Sequence, residues 1–340
     1  MIGISAKFRG SLNCRCSPPL AGGGDRRSVH EHYSSKQLSD AWCRFVRGKH
    51  KRSDVIAYKK QLGHNLEQLR TQLTSATYQH GDYQAFSFQD PKTRRIHKAC
   101  VRDRIVHQLL VDMLESLFEP RFIYDSFSCR KGKGTHAGVV RLRTLLRRAS
   151  RNDTRTVFVL KCDIRQFFAS VDMNILRQLI VRRVKDATAM NVVDEILYSF
   201  SPGIPLGNVS SQLFANIYLH ELDWFVKQTL RARYYVRYCD DFVIVCESRA
   251  QAQNYQDLIE RFLLRELRLQ LHPNKLSVRT WRQGIDFLGY VIKPRVTIVR
   301  TKTARRLIQR ANQANINSYL GVLSHADGYE LSQVLRLAAL

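Results

Sequence analysis

The chain has 340 residues, and its 55 Lys plus Arg against 29 Asp plus Glu give a formal net charge of +26. That length supports a sizeable core and more than one lobe, and so large a cationic excess points to a polyanionic partner, either nucleic acid or an anionic membrane surface. No apolar run approaches the roughly 20 residues of a membrane-spanning helix, and Met1–Leu20 lacks the apolar block of a secretory signal, so nucleic acid is the better match.

Of eight cysteines, six stand singly, the pattern of reduced intracellular thiols rather than a disulfide scaffold. Cys14 and Cys16 with His30 and His32 match no common zinc spacing. With Ser17-Pro18-Pro19 and Gly22-Gly23-Gly24 nearby, residues 1–30 read as a flexible leader. From Ser34 to Tyr78 the pattern is helical. Leu38, Trp42, Phe45 and Val46 form one apolar stripe. After the basic loop Gly48–Arg52, Ser53 and Asp54 start a second stripe through Val55, Tyr58, Leu62, Leu66, Leu69 and Leu73. Tyr83–Phe88 and Arg94–His97 alternate around Asp90-Pro91-Lys92, which predicts a hairpin carrying Lys92, Arg94 and Arg95. A long helix, Arg102–Phe118, ends at Pro120. In Asp125–Thr135, lysines alternate with glycines (Arg130-Lys131-Gly132-Lys133-Gly134) ahead of a helix, a pattern that cradles phosphate with backbone amides and charge or serves as a basic surface loop. The helix Ala137–Ala149 carries Arg141, Arg143, Arg147 and Arg148.

Thr156–Cys162 is a strongly apolar strand ending at Asp163. A helix, Met173–Val184, a turn-rich loop, Ser201–Asn208, and a long helix, Val209–Leu230, follow. In Arg233–Glu247 two β-prone runs flank Asp240 and Asp241, so the stretch predicts a hairpin with carboxylates at its tip. Neighbouring side chains there point opposite ways, and negative charge beside buried strands needs a positive partner. Next come the helix Ala250–Leu269, the turn His272–Lys275 and the strand Leu276–Thr280. Phe287-Leu288-Gly289-Tyr290 opens another strand, followed by Val296–Val299. A basic helix, Thr301–Leu320, and a short apolar helix close the chain. There is no internal repeat and no second composition regime.

A strand-end Asp and a hairpin-tip pair in a very basic chain fit two-metal phosphoryl transfer, with the ions about 4 Å apart. Mg²⁺ prefers a few carboxylates plus substrate phosphates to a full protein cage. An Asp-Asp pair alone is a weak signal, but the motifs around it are not alone. Tyr238-Cys239-Asp240-Asp241 resembles the Tyr-x-Asp-Asp box of reverse transcriptases. Asp163-Ile-Arg-Gln-Phe-Phe168 resembles their first palm motif, and Lys275 and Phe287–Tyr290 the later ones. Arg94–Leu110 resembles the opening fingers block of group II intron-like bacterial enzymes. The order holds from about residue 35 to 300.

The resemblance implies an α+β right-hand polymerase: fingers with N-terminal helices over 31–155, a palm over 156–300 whose antiparallel sheet carries the Asp-Asp hairpin, a further fingers segment at about 176–206, and a short helical thumb over 301–340. It implies an RNA-directed DNA polymerase that takes template RNA, a DNA or RNA primer and dNTPs, and makes cDNA with two Mg²⁺ ions or Mn²⁺ in their place. Asp163 and Asp240 would ligate both ions, with the backbone of Ile164 beside them and Asp241 in support. Phe168 would lie under the incoming sugar, core packing being its alternative. Lys92, Arg94 and Arg95 would meet the triphosphate, and Leu206, Gly207 and Gln212 the nucleotide. Lys275 would assist pyrophosphate departure, or be a turn lysine. Arg130, Lys131, Lys133 and Tyr290 would contact nucleic acid.

Most reverse transcriptases read Gln-Gly-x-x-x-Ser-Pro in the loop-to-helix motif, where this chain reads Leu206-Gly207-Asn208-Val209-Ser210-Ser211-Gln212. That variant, with Ala215–Leu219 and Lys131–His136, resembles the reverse transcriptases of diversity-generating retroelements. It implies error-prone copying of a template-repeat RNA, changes concentrated opposite adenines, cDNA that rewrites a target gene, and a small basic oligomeric accessory protein. A cytoplasmic, bacterial or phage-encoded enzyme is expected. The alternatives are a group II intron or antiphage-defence reverse transcriptase and a non-catalytic RNA-binding scaffold. An intron enzyme usually extends further than Leu340, and three acids weigh against a scaffold.

Overall fold

The computed structural model describes residues 33–89 and 93–339. The expected leader, its Cys14, Cys16, His30 and His32, and Lys92 lie outside the described residues.

Helix α1 (Ser35–Val46) starts where the Ser34 side chain accepts from the Gln37 N–H and Gln37 reaches back, a capping box that satisfies two otherwise orphan donors. It buries Leu38, Trp42, Phe45 and Val46. The stripe expected from Val55 to Leu73 is two helices, α2 (Ser53–Lys59) and α3 (Leu62–Thr74). Gln61 leaves helical geometry at φ −123°, and Asn65 Nδ2 donates to the Tyr58 carbonyl at 3.0 Å, taking an acceptor the first helix leaves open. Strands β1 (Gln84–Gln89) and β2 (Thr93–Lys98) form an antiparallel hairpin. Helix α4 (Val101–Phe118) runs through the core and α5 (Thr135–Ala149) follows.

The central sheet has four strands in the order β4-β5-β3-β6: β3 (Phe158–Asp163), β4 (Tyr234–Tyr238), β5 (Asp241–Cys246) and β6 (Ser277–Thr280), every pairing antiparallel. Between β3 and β4 lie α6 (Phe167–Ser170), α7 (Met173–Val181), α8 (Ala187–Tyr198) and α9 (Val209–Trp224). Helix α10 (Arg249–Leu267) joins β5 to β6. A second sheet, β7 (Ile285–Phe287), β8 (Tyr290–Ile292) and β9 (Thr297–Val299), precedes α11 (Thr301–Arg310), α12 (Ile316–Leu323) and α13 (Tyr329–Ala338).

The central strands read as continuous apolar runs because both sheet faces are covered. Leu160, Cys162, Phe242 and Ile244 join the cluster that includes α9 and α10, while Val159, Val243 and Val245 join Leu142, Leu146, Phe287 and Tyr290 on the other side. Each such buried side chain stabilises by about 1.5–3 kcal/mol, which offsets the cost of ending two strands in carboxylates.

Several expectations change. Helix α8 fills a stretch that the sequence reading left unassigned, although Asp186 caps it through the Ala189 N–H at 2.7 Å. The helix expected over Val209–Leu230 is α-helical only to Trp224 and closes in a π turn, Phe225–Thr229. The basic helix expected over Thr301–Leu320 breaks after Arg310. Asn315 Nδ2 caps the Arg310 carbonyl at 2.7 Å, and Asn312 Oδ1 accepts from the N–H groups of Ala314 and Asn315. Phe287–Tyr290 opens a strand only at its last residue, Tyr290, where β8 begins. The quartet spans the β7–β8 turn, with Leu288 at φ +51° and Gly289 at φ +90°, left-handed values that favour glycine.

Candidate active site

The ladder between β3 and β5 sets Asp163 directly opposite Asp241. Asp240 sits in the two-residue turn between β4 and β5, where Cys239 adopts φ +55°. The Ile164 N–H donates to the Asp240 carbonyl at 3.2 Å. Three carboxylates, from distant parts of the chain, thus converge at one end of the sheet. Like charges directly across strands repel, and the electrostatics record it. Burial, then the Asp163 charge, raises the Asp240 pKa. Burial pushes Asp241 up to about 7; Lys161 opposes this, while Asp163 and Asp240 add to it.

Two ammonium groups hold the cluster together. Lys275, at the end of a short 3₁₀ turn (Pro273–Lys275), places Nζ 2.6 Å from Asp163 Oδ1. Lys161 sits two residues before Asp163 on the same sheet face, with Nζ 3.5 Å from Asp241 Oδ2 and 2.7 Å from the Asp286 carbonyl oxygen it donates to. Lys161 escaped the sequence reading. Its signal was a single lysine in an apolar strand at i−2 from an acid.

The fit to divalent ions rests on the donor set. Carboxylate and backbone oxygens suit a hard cation. Asp241 Oδ1 is buried with no hydrogen-bond partner, an orphan acceptor of the kind a native fold rarely leaves unexplained. Among the described residues no three or more His, Cys, Asp or Glu side chains form a ready-made cage; Mg²⁺ needs none where substrate phosphates complete its shell. Asp163, Asp240 and Ile164 therefore suit the ions expected of them, with Asp241 beside.

The hairpin β1–β2 is latched to the loop 201–208. His97 N–H donates to the Leu206 carbonyl at 2.8 Å, and Asn208 Nδ2 donates to the His97 carbonyl at 2.9 Å. Gly207, at φ +116°, lets Ile96 approach so closely that a Cβ would lie 2.6 Å from Ile96 Cγ2. This latch carries exposed Arg94 and Arg95 together with Leu206. The same loop packs on the turn after Asp163: Ile204 N–H donates to the Phe168 carbonyl at 2.8 Å, and Gly203 lies against the Phe168–Ala169 backbone. Phe168 is half-buried, its ring 5.4 Å from that of Phe167. Gln212 is exposed near the start of α9.

The remaining candidates are engaged within the fold. Arg130 donates to Glu119 and to the carbonyls of Ile123 and Ser126. Lys131 pairs with Glu115 at 2.9 Å while staying 87% exposed. Lys133 donates to the Tyr124 carbonyl and lies over the Tyr124 ring. Tyr290 is buried, its hydroxyl donating to the Val322 carbonyl at 2.9 Å.

Comparison with known proteins agrees with this geometry. A family model described as "Reverse transcriptase (RNA-dependent DNA polymerase)" matches residues 88–292. Protein YkfC of Escherichia coli is 25% identical over 276 residues, covering 68% of this chain and 71% of its own length. The group II intron-encoded protein LtrA of Lactococcus lactis is 24% identical over 265 residues, 57% of this chain and 43% of LtrA. A mitochondrial protein of Marchantia polymorpha, ymf11, is 27% identical over 229 residues but is spanned for only 30% of its length. Telomerase from Candida albicans, solved with a fragment of telomeric RNA, superposes with a TM-score of 0.53 over 78% of this chain and 56% of its own, at 11% identity, a likeness of fold in keeping with a right-hand polymerase. Among the described residues no helix is long and apolar enough to cross a membrane.

Proposed function

The chain belongs to the reverse transcriptase (RNA-dependent DNA polymerase) family, and from that premise we propose that it extends a DNA or RNA primer along an RNA template, consuming dNTPs and yielding cDNA. The observation that carries this reading is the in-register meeting of Asp163 and Asp241 with Asp240 at the adjoining turn. In this reading residues 31–155 act as fingers, 156–300 as palm and 301–340 as thumb.

Asp163, Asp240 and the Ile164 backbone would hold two divalent ions, Mg²⁺ with Mn²⁺ as substitute. Bound there, such ions favour the ionised primer 3′-hydroxyl and neutralise charge on the departing pyrophosphate. The chain's own residues do the rest. Lys275 pairs with Asp163 and Lys161 with Asp241, offsetting part of the negative charge gathered there until substrate arrives. Lys275, once released from Asp163, is a mobile cation beside the leaving group. Arg94 and Arg95, with Lys92, meet the triphosphate from a hairpin whose position is set by the Leu206–Asn208 latch. Phe168 would lie under the incoming sugar and reject a 2′-hydroxyl by bulk, core packing against Phe167 being its alternative.

The finer reading is an enzyme of a diversity-generating retroelement, error-prone at template adenines and working with a small basic accessory protein. Its support is Leu206 and Gln212 in place of the usual Gln and Pro. A site that offers an apolar side chain instead of an amide loses hydrogen bonds that reject wrong partners. Extension of a DNA primer on RNA with Mg²⁺, abolished by Asp240→Asn, tests the polymerase. Sequencing the cDNA tests the rest: changes should cluster opposite adenine and fall when Leu206→Gln and Gln212→Pro are combined. A faithful cDNA from the wild-type chain would instead favour the second reading, a group II intron-type enzyme, for which the match to LtrA speaks.

A further inference from the structure

Arg237, in the middle of the acidic hairpin, is wholly buried, and a lone guanidinium there would be prohibitively costly. Asp223 of α9 holds it bidentately, Nε to Oδ1 at 2.7 Å and Nη2 to Oδ2 at 2.6 Å. Neither side chain is exposed at all. The Tyr235 hydroxyl donates to the same Asp223 Oδ1 at 2.8 Å. The remaining donors of the fork reach the segment at Ser126, a second residue of α9 and the turn itself. Nη2 donates to Ser126 Oγ at 3.1 Å, and Nη1 donates to Asn216 Oδ1 at 3.4 Å and to the Cys239 carbonyl at 3.2 Å. Asn216 passes the link on to the Ser128 carbonyl at 2.9 Å.

A buried ion pair is no better for stability than apolar residues of the same volume, so stability alone gives no reason for this one. Its end point does. Cys239 holds φ +55° without being glycine, a backbone state that persists only when its surroundings impose it. The Cys239 carbonyl, immediately before Asp240, is fixed by the guanidinium. The next carbonyl, that of Asp240, is fixed from the opposite side by the Ile164 N–H of the segment that carries Asp163. Two successive peptides of the turn are therefore clamped, one from the core and one from the neighbouring strand end.

We propose that the Arg237–Asp223 pair is a positioning device for the acidic turn, fixing the Cys239–Asp240 peptide so that Asp240 and Asp241 meet Asp163 in a single geometry. Arg237 and Asp223 touch neither substrate nor ion; they act through the turn. The inference rests on the polymerase reading above.

Removing one partner strands a buried charge and endangers the fold. The test therefore replaces the unit with apolar residues of similar length, Arg237→Met, Asp223→Leu and Tyr235→Phe together. Arg237→Lys is made alongside; it keeps the charge but lacks a fork able to reach Asp223 and Cys239 at once. Primer extension on an RNA template gives kcat and the KM for dNTP. Thermal midpoint, RNA affinity and calorimetric Mn²⁺ binding are measured on the same preparations. The triple variant is expected to keep its thermal midpoint and RNA affinity while kcat falls on the order of 100-fold, the usual consequence of a misplacement of about 1 Å, with KM little changed and Mn²⁺ binding weakened. Arg237→Lys should fall between the triple variant and wild type. Wild-type kcat in a folded triple variant overturns the proposal, as does a loss of kcat that only follows the folded fraction and disappears on cooling. Were the wild-type chain itself inactive on RNA, the polymerase reading would fail separately. The Mn²⁺ titration would then decide this proposal, equal binding in wild type and triple variant overturning it.

Discussion

Lys161, together with Lys275, lets three carboxylates share the end of a buried sheet. It bridges Asp241 and the Asp286 carbonyl, so its ammonium is satisfied on both sides. Lys161→Met leaves a carboxylate and a carbonyl without their partner, at about 1–3 kcal/mol. The thermal midpoint of the metal-free protein should fall, and added Mg²⁺ should recover most of it, because a divalent ion replaces the missing charge; a midpoint indifferent to Mg²⁺ in this variant would count against an ion at Asp241. A second residue-scale device lies at the junction of α4 and α9. His107 is buried with its ring nitrogens against Ser210 Oγ and His80, near Asp103 and Arg104. Burial, then the neighbouring His80, depresses its pKa to about 3. His220 is depressed to about 4, again mainly by burial. A depressed histidine is protonated in the unfolded chain first, so its contribution is present above the ordinary value near 6.5 and is lost as pH falls through the folded value. Each adds up to about 1.4 kcal/mol per pH unit to the acid limb. His107→Gln should flatten the stability curve between roughly pH 6.5 and 3, read by urea unfolding at stepped pH; an unchanged slope would mean His107 is not neutral in the fold.

At the scale of elements, the latch between β2 and the loop 201–208 is where local backbone geometry becomes site architecture. Gly207→Ala forces a side chain into φ +116° and against Ile96, a strain of about 1–3 kcal/mol. The Ile96 tip can move aside, but the backbone angle cannot relax without releasing Leu206. The hairpin should then be cut faster in limited proteolysis, and in primer extension KM for dNTP should rise more than kcat falls; an unaltered KM would mean Arg94 and Arg95 do not depend on the latch. The expectation of a hairpin here was legible, since its strands alternate around turn residues. The latch was not, because Asn208 and Ile96 are distant in sequence and neither carries a motif by itself. The acidic hairpin was legible for a different reason: β-branched, aromatic runs ending in carboxylates have few other uses. Its register against β3, which decides that Asp163 meets Asp241 and that Lys161 falls beside them, follows from pairing across about 80 residues of intervening helices and leaves no trace in local pattern. Helix α8 was missed although Asp186 and the spacing of Met190, Val193 and Leu197 announce it. Leu288-Gly289 was misread because an apolar quartet looks like a strand until the turn's positive φ values are seen.

For the whole molecule, the charge excess has to be separated from the motif that first suggested phosphate binding. Arg130 and Lys131 in that loop, and Arg141 after it, are matched with Glu119, Glu115 and Asp125. Their charges are balanced locally, and drawing them onto a polyanion means breaking an existing pair. By contrast, α11 carries Lys302 and Arg305 exposed on a helix without an acidic residue. If the +26 excess acts mainly as a field, it is such cations that displace counterions from RNA. Each phosphate neutralised contributes about 0.7 to the slope of log affinity against log salt for single strands. Replacing Lys302 and Arg305 by Gln together should therefore weaken RNA binding at low salt and make that slope shallower by about 1.4, whereas Lys131→Gln should leave it nearly unchanged, since Glu115 already satisfies that ammonium. Fluorescence anisotropy of a labelled RNA across a salt series reads both. Thermal midpoints should not move for either, because all three side chains lie at the surface and surface pairs are worth little. A steeper effect from Lys131 than from the α11 pair would reverse the assignment, making the glycine-lysine loop, and not α11, the part of the molecule that takes the backbone.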